Sequence, residues 1–282
     1  MTEFRTVLEG LAFPEGPRWH EGRLWFSDMH AHEVVVVDME GNRETICEVP
    51  QRPSGLGWLP DGRLLVVSMV NRKLLRLETG GVLAEHADLS ELATGNCNDM
   101  VVDTQGRAYV GNFGFDLDKG EEPKPAAVIL VTPDGAARVA AEDMHFPNGA
   151  VITPDGGAII IAETFARRLT AFDIEADGSL TNRRLFAEVG PAFPDGICLD
   201  EEGAVWLASP RTNEVVRVHA DGSIGERIST GDRGAYACML GGPGRRTLFA
   251  LVSKSSNPEE CARERTGAIL AREVAVGGAG LP

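Results

Sequence analysis

Phe13-Pro14-Glu15-Gly16, Phe146-Pro147-Asn148-Gly149 and Phe193-Pro194-Asp195-Gly196 are one tetrapeptide written three times, with a different polar residue in its third place each time. Seven or eight residues beyond that place stands a glycine that precedes an apolar run. Equivalent glycines recur at Gly22, Gly62, Gly106, Gly156, Gly203 and Gly244, at intervals of 40, 44, 50, 47 and 41 residues. A period of this length marks an array of small sheets, none of which can bury its faces alone. Counting back from each glycine fills the slot with Glu15, Ser54, Asn98, Asn148, Asp195 and Tyr236.

Each glycine opens a strand-like run, at 23–27, 63–68, 107–111, 157–162, 204–209 and 245–252, and a second run follows after a short turn. In five repeats another run comes next, and Asp134-Gly135, Asp177-Gly178 and Asp221-Gly222 supply hairpin chemistry, since glycine tolerates positive φ. The sixth repeat lacks its last strand, and an unassigned strand at residues 4–10 can complete it. Such a closure leaves no open edge. The expectation is an all-β, six-bladed β-propeller of four-stranded blades, a single domain over residues 1–282, with helix content near nil. The third repeat carries a Gly- and Pro-punctuated loop at 114–125, flanked at its start by Phe113 and Phe115. It reads either as ordinary loop variation or as a wall over the channel mouth.

The bulk properties exclude several classes. The formal charge is −15, so a phosphate backbone is repelled and no nucleic-acid partner is expected. No apolar stretch reaches 18 residues, so no membrane partner is expected. The N-terminal Met1-Thr2-Glu3-Phe4-Arg5 has neither a basic nor an apolar leader region, which points to the cytoplasm. Five scattered cysteines without CxxC spacing suit free thiols, and Cys97 and Cys198, beside slot residues, should be small buried hydrophobes. No Gly-x-Ser-x-Gly elbow exists and Ser54 has no visible base, which argues against a serine hydrolase. His30, His32 and His145 fall in loops or at strand ends.

In a propeller the innermost strands face the axis, so Glu15, Asn98, Asn148 and Asp195 converge. Two carboxylates and two amide oxygens form a hard-oxygen set suited to Ca²⁺, Mg²⁺ or Mn²⁺. Without a cation the two carboxylates repel each other. The competing reading is that such residues merely cap turns. Tyr236, in the sixth slot, can donate a hydrogen bond to a ligand or simply fill the channel.

The chain resembles the senescence-marker-protein/gluconolactonase/luciferin-regenerating-enzyme family, which includes regucalcin-type gluconolactonases. The resemblance spans essentially the whole chain. It rests on Phe13-Pro14-Glu15-Gly16-Pro17-Arg18-Trp19, Cys97-Asn98-Asp99, the Phe-Pro frames of Asn148 and Asp195, Ala162-Glu163-Thr164 with Phe172-Asp173, and Gly241-Gly242 leading to Arg246-Thr247-Leu248. It implies one divalent cation, Ca²⁺ first, with Mg²⁺, Mn²⁺ or Zn²⁺ as other candidates, held by Glu15, Asn148 and Asp195. Asn98 is implied as a further ligand or as a substrate neighbour. The implied activity is hydrolysis of a sugar-acid or related lactone, with Asp195 as general base or nucleophile. Asn96, Asn98, Phe113, Phe115 and Tyr236 are the expected substrate contacts. Relatives of the regucalcin type carry an arginine where this chain has Asn96, which supplies neither charge nor a fork of donors. A phosphotriester or aryl-ester hydrolase at the same site, and a non-catalytic calcium- or ligand-binding propeller, are the alternatives. The oligomeric state is left open.

Overall fold

In the computed structural model, which describes residues 3–117 and 119–282, six antiparallel sheets stand around one axis. Met1 and Thr2 of the leader reading, and residue 118 of the 114–125 loop, lie outside the described residues. Blade 1 runs outward from the axis through Pro14–His20, Arg23–Asp28, Glu33–Val37 and Arg43–Glu48. The inner strands of blades 2 to 6 are Pro53–Trp58, Cys97–Val102, Pro147–Ile152, Ile197–Asp200 and Gly234–Gly241. Each lies against its neighbours' inner strands, and the first meets the last.

Burial explains the sequence pattern. Middle strands are covered on both faces by adjacent blades, so they read as continuous apolar runs, as in Val34–Val37 and Ile159–Ala162. Outermost strands face water, and Leu180–Glu188 is mostly exposed. The ring closes as expected: Arg5–Leu11 pairs antiparallel with Gly267–Glu273, Arg5 opposite Ala271 and Leu11 opposite Gly267, as the outer strand of blade 6.

Two features differ from the expectation. A short α-helix, Pro258–Glu264, interrupts blade 6. Asn257 caps it by accepting from the Glu260 N–H at 3.0 Å, Pro258 starts it, and Glu259 and Glu260 lie in its positive first turn. A two-residue strand, Gly278–Ala279, adds a fifth member to the blade 5 sheet by pairing with Leu199 and Asp200, and Leu281 bridges to Ile152 of blade 4. No helix among the described residues is long and apolar enough to cross a membrane.

The Phe-Pro-X-Gly frame has a packing cause. A Cβ on Gly149 would lie 2.5 Å from the Ile197 amide nitrogen, so only glycine lets the inner strands of blades 4 and 5 approach. At Gly55 an added Cβ would meet Met100 and Asp99 backbone and the Asp99 carboxylate. Its absence lets Asp99 of blade 3 cross to Arg18 of blade 1, at 2.7 Å. Both partners are buried, and Arg18 also donates to the Leu56 and Pro17 carbonyls at 2.8 and 2.7 Å. Gly149→Ala is expected to cost about 1–3 kcal/mol, because the obstacle is backbone rather than a movable side chain. A urea midpoint unchanged from wild type would refute this close-approach account.

Candidate active site

Pairing slips at every inner strand where the slot falls within it. The register shifts lie between Glu15 and Arg18, Pro53 and Leu56, Cys97 and Met100, Pro147 and Ala150, and Ala235 and Ala237. Such bulges re-aim one side chain and sharpen the local twist. They turn the slot residues toward one end of the channel. In blade 5 the strand begins after the slot, and Asp195 is held by its own N–H to the Ala208 carbonyl at 3.0 Å.

Three blades tie their slot segments down in an equivalent way. The buried polar residue ending the second strand accepts from a backbone N–H two or three residues before the slot. Asp28 accepts from Phe13 at 2.7 Å, Glu163 from His145 at 2.8 Å, and Ser209 from Phe193 at 3.0 Å. These are the three blades with the Phe-Pro frame. Phe146 sits at φ 60°, costly for an aromatic residue, and stacks on Phe113 with ring centroids 4.4 Å apart.

Five of the six slot residues, all but Ser54, surround a cavity of about 250 Å³. Glu15, Asn98, Asn148, Asp195, Tyr236 and Phe113 all line it. Asn96 and Phe115 do not. Asn96 offers its backbone carbonyl to the Phe113 N–H at 2.9 Å, and Phe115 is buried behind the wall, its ring 6.0 Å from Phe146. Leu117 brings the 114–125 loop to the cavity, as a wall segment. Beyond the residues expected from sequence to bind metal or substrate, His30, Thr164, Phe165, Arg52, Arg211 and Ser256 also face this space.

A hydrogen-bond chain runs across four blades at the cavity floor. Ser54 Oγ donates to Asn98 Oδ1 at 3.2 Å, and Asn98 Nδ2 donates to Asn148 Oδ1 at 2.9 Å. Asn148 Nδ2 donates to Thr164 Oγ1 at 3.3 Å, whose hydroxyl donates to the Pro194 carbonyl at 2.8 Å. The chain turns the Asn148 oxygen toward the Asn98 amide and the Asn98 oxygen toward Ser54.

The electrostatics are those of an unbalanced anion site. Burial, then the nearby Asp195 charge, pushes the Glu15 carboxyl well above its ordinary value. Burial and the Asp99 charge do the same to Asp195, against a lowering hydrogen bond from Asn148. Three carboxylates (Glu15, Asp99, Asp195) act on one another with the Arg18 guanidinium beside Asp99, and when all are ionised these four groups sum to −2, with Arg52 and Arg211 on the cavity wall apart from them. A divalent cation cancels that sum, and the oxygens of Glu15, Asp195 and Asn148 are the hard donors such an ion takes. No cluster of three or more His, Cys, Asp or Glu side chains suited to a metal occurs among the described residues, so a mixed carboxylate–amide set is the one on offer. Burial drives the Tyr236 phenol up to about 12, which keeps it protonated and able to donate. The five cysteines are unpaired, with Cys97 and Cys198 both buried.

The family model of the SMP-30/Gluconolactonase/LRE-like region matches residues 13–254. The chain is 26% identical over 290 residues to pentonolactonase XacC of Haloferax volcanii, covering 99% of this chain and 96% of that protein. It is 25% identical over 255 residues to a 6-deoxy-6-sulfogluconolactonase of Pseudomonas putida, covering 87% and 85% of the two. Among solved structures, the calcium-binding protein regucalcin of Agrobacterium tumefaciens superposes with a TM-score of 0.82 at 21% identity, over 99% of this chain and 96% of that one.

Proposed function

The chain belongs to the SMP-30/gluconolactonase/LRE-like family, and from that membership we propose that it is a divalent-cation-dependent lactonase acting on small sugar-acid or related lactones. The observation that carries the reading is the pair of desolvated carboxylates, Glu15 and Asp195, facing one cavity. A scaffold has no use for two converging buried charges. The lactonase names of the Haloferax and Pseudomonas relatives support the same chemistry. At about 250 Å³ the cavity falls below the roughly 300–1,000 Å³ of sites for drug-sized ligands, which suits a single-ring substrate.

Glu15, Asn148 and Asp195 would hold the cation, and a Ca²⁺, Mg²⁺, Mn²⁺ or Zn²⁺ ion there supplies Lewis acidity toward the lactone carbonyl. Asp195 accepts the proton of the attacking water, or itself attacks the carbonyl carbon. Tyr236 donates to a substrate oxygen. Asn98 orients Asn148 and offers its amide to substrate hydroxyls, while Phe113, Phe146 and Phe165 keep bulk water from the ring. A pH-indicator screen of the metal-supplemented protein over aldonolactones, aryl esters and phosphotriesters tests the proposal. Turnover of lactones well above the others is expected. Turnover of a phosphotriester without any lactone would overturn it.

The carboxyl shifts also predict a pH effect with a definite sign. Glu15 and Asp195 have raised values in the folded metal-free chain, so there the native state binds more protons than the unfolded one. Their stabilisation is full below the ordinary carboxyl range and is lost as pH rises through the folded values. Cation binding needs both groups ionised, so added Ca²⁺ should raise the melting temperature more at pH 8 than at pH 5. At 100–1,000 times Kd the gain is about 2.7–4.1 kcal/mol. An equal Ca²⁺ effect at both pH values would contradict the assignment of these two carboxylates.

A further inference from the structure

Arg211 lines the cavity that holds Asp195, and its Cζ lies 5.1 Å from the ring centroid of Phe193, two residues before that carboxylate. Arg167, from blade 4, places its Cζ 4.3 Å from the same ring. Both arginines are exposed. Among the described residues neither guanidinium meets a carboxylate or any hydrogen-bond partner. The chain has 42 Asp and Glu against 27 Lys and Arg, and many of its surface arginines are paired, as in Arg184–Asp173 and Arg227–Glu214. Two unpaired guanidiniums on one aromatic ring, one of them lining the cavity, are therefore a local reversal of sign. Stacking occupies a guanidinium's face and leaves its N–H edge open for a bidentate acid.

We infer that Arg211 and Arg167 select a lactone that also bears a carboxylate, held at the rim while the ring carbonyl sits at the floor. The inference rests on the lactonase reading and narrows its substrate class. A carboxylate approaching a chain of charge −15 meets general repulsion, which the two arginines offset beside the cavity. The floor and rim then divide the work. Glu15 and Asp195 serve the reacting carbonyl, and the arginines fix the far end and so the direction of the ring.

The test uses a matched pair, D-glucaro-1,4-lactone, which carries a free carboxylate, and D-glucono-1,4-lactone, which carries a hydroxymethyl in its place. Steady-state kinetics are measured on the metal-supplemented full chain, on Arg211→Gln, on Arg211→Lys and on Arg167→Gln/Arg211→Gln. The wild type should favour the acidic lactone. Arg211→Gln should lower the acidic-to-neutral ratio of kcat/KM by about 10-fold, mostly through KM, as for loss of one charge-assisted pair. Arg211→Lys should fall between, and the double variant should lose more. Because the ratio is taken on one protein sample, a loss of folded fraction cancels. A wild type that favours the neutral lactone, or a ratio unmoved by Arg211→Gln, overturns the inference while leaving the lactonase reading standing. If neither lactone is turned over, that reading fails, and calorimetry with D-glucarate and D-gluconate decides the inference alone. An approximately 10-fold weakening of glucarate binding relative to gluconate in Arg211→Gln supports it, and equal weakening overturns it.

Discussion

Asp195→Asn should lower lactone turnover by about 10²–10⁴ at saturating cation while making the metal-free protein more stable. The two effects share one cause. Asparagine keeps the shape and one ligand oxygen, so the cavity and its hydrogen bonds survive. It removes the carboxylate that must take a proton or attack the carbonyl, and that loss falls on kcat. It also removes one of three mutually repelling carboxylates from a buried floor where Arg18 is paired with Asp99, and an uncompensated buried charge is costly. In chelator the variant should therefore melt above the wild type, and the stabilisation conferred by Ca²⁺ should shrink. Asn148→Asp makes the opposite change, deepening the charge without touching the proposed base. It should tighten the ion, destabilise the chelated protein, and cost less activity than Asp195→Asn. Near-wild-type turnover in cation-saturated Asp195→Asn would reduce Asp195 to a ligand.

Removal of residues 1–10 should have the largest effect on stability. Arg5–Leu11 pairs along the outer edge of blade 6, and Phe4, Val7 and Leu8 pack against the core shared by blades 5, 6 and 1. Their loss removes several partly buried apolar side chains, on the order of 5 kcal/mol, which is comparable with the whole margin of a typical domain. It also bares the Gly267–Glu273 strand as a template for pairing with another chain. Soluble aggregates and a fall in melting temperature of well over ten degrees are expected by light scattering and calorimetry. A truncated chain that is monodisperse and melts with the wild type would contradict closure by this strand.

The ring, its closure and the convergent slot were legible because each leaves a periodic trace. A glycine recurs, a polar residue stands at a fixed offset from it, and a strand at 4–10 has no partner nearby. Gly149 and Gly196 were legible as part of a frame, but their reason was not, since the backbone that crowds them belongs to the next blade, some 40 residues on. The helix at Pro258–Glu264 left a signature in Asn257-Pro258-Glu259-Glu260, yet seven residues are too few to show an amphipathic period. More of the cavity wall could have been read. In five blades a buried polar residue ends the second strand, and the next one or two residues face the cavity. These are Met29 and His30 after Asp28, Met69 after Ser68, Phe113 after Asn112, Thr164 and Phe165 after Glu163, and Pro210 and Arg211 after Ser209. Only the third of these connections carries a conspicuous insertion, which is why Phe113 alone among them was read as a substrate contact. The chain of hydrogen bonds from Ser54 to Pro194 was beyond reach, because it joins side chains from four blades whose orientation depends on the bulges.

The central claim is that Glu15, Asn148 and Asp195 hold one divalent cation on which lactone hydrolysis depends. Its most direct test strips the protein with chelator and titrates Ca²⁺, Mg²⁺, Mn²⁺ and Zn²⁺ in turn. Bound metal and aldonolactone hydrolysis above the spontaneous rate are followed in the same samples. Activity should be absent from the stripped protein, return with at least one of these ions, and saturate at one ion per chain, with Glu15→Gln demanding more ion for half-saturation. Hydrolysis that survives complete removal of metal, or a fully loaded protein that opens no lactone, would contradict the account.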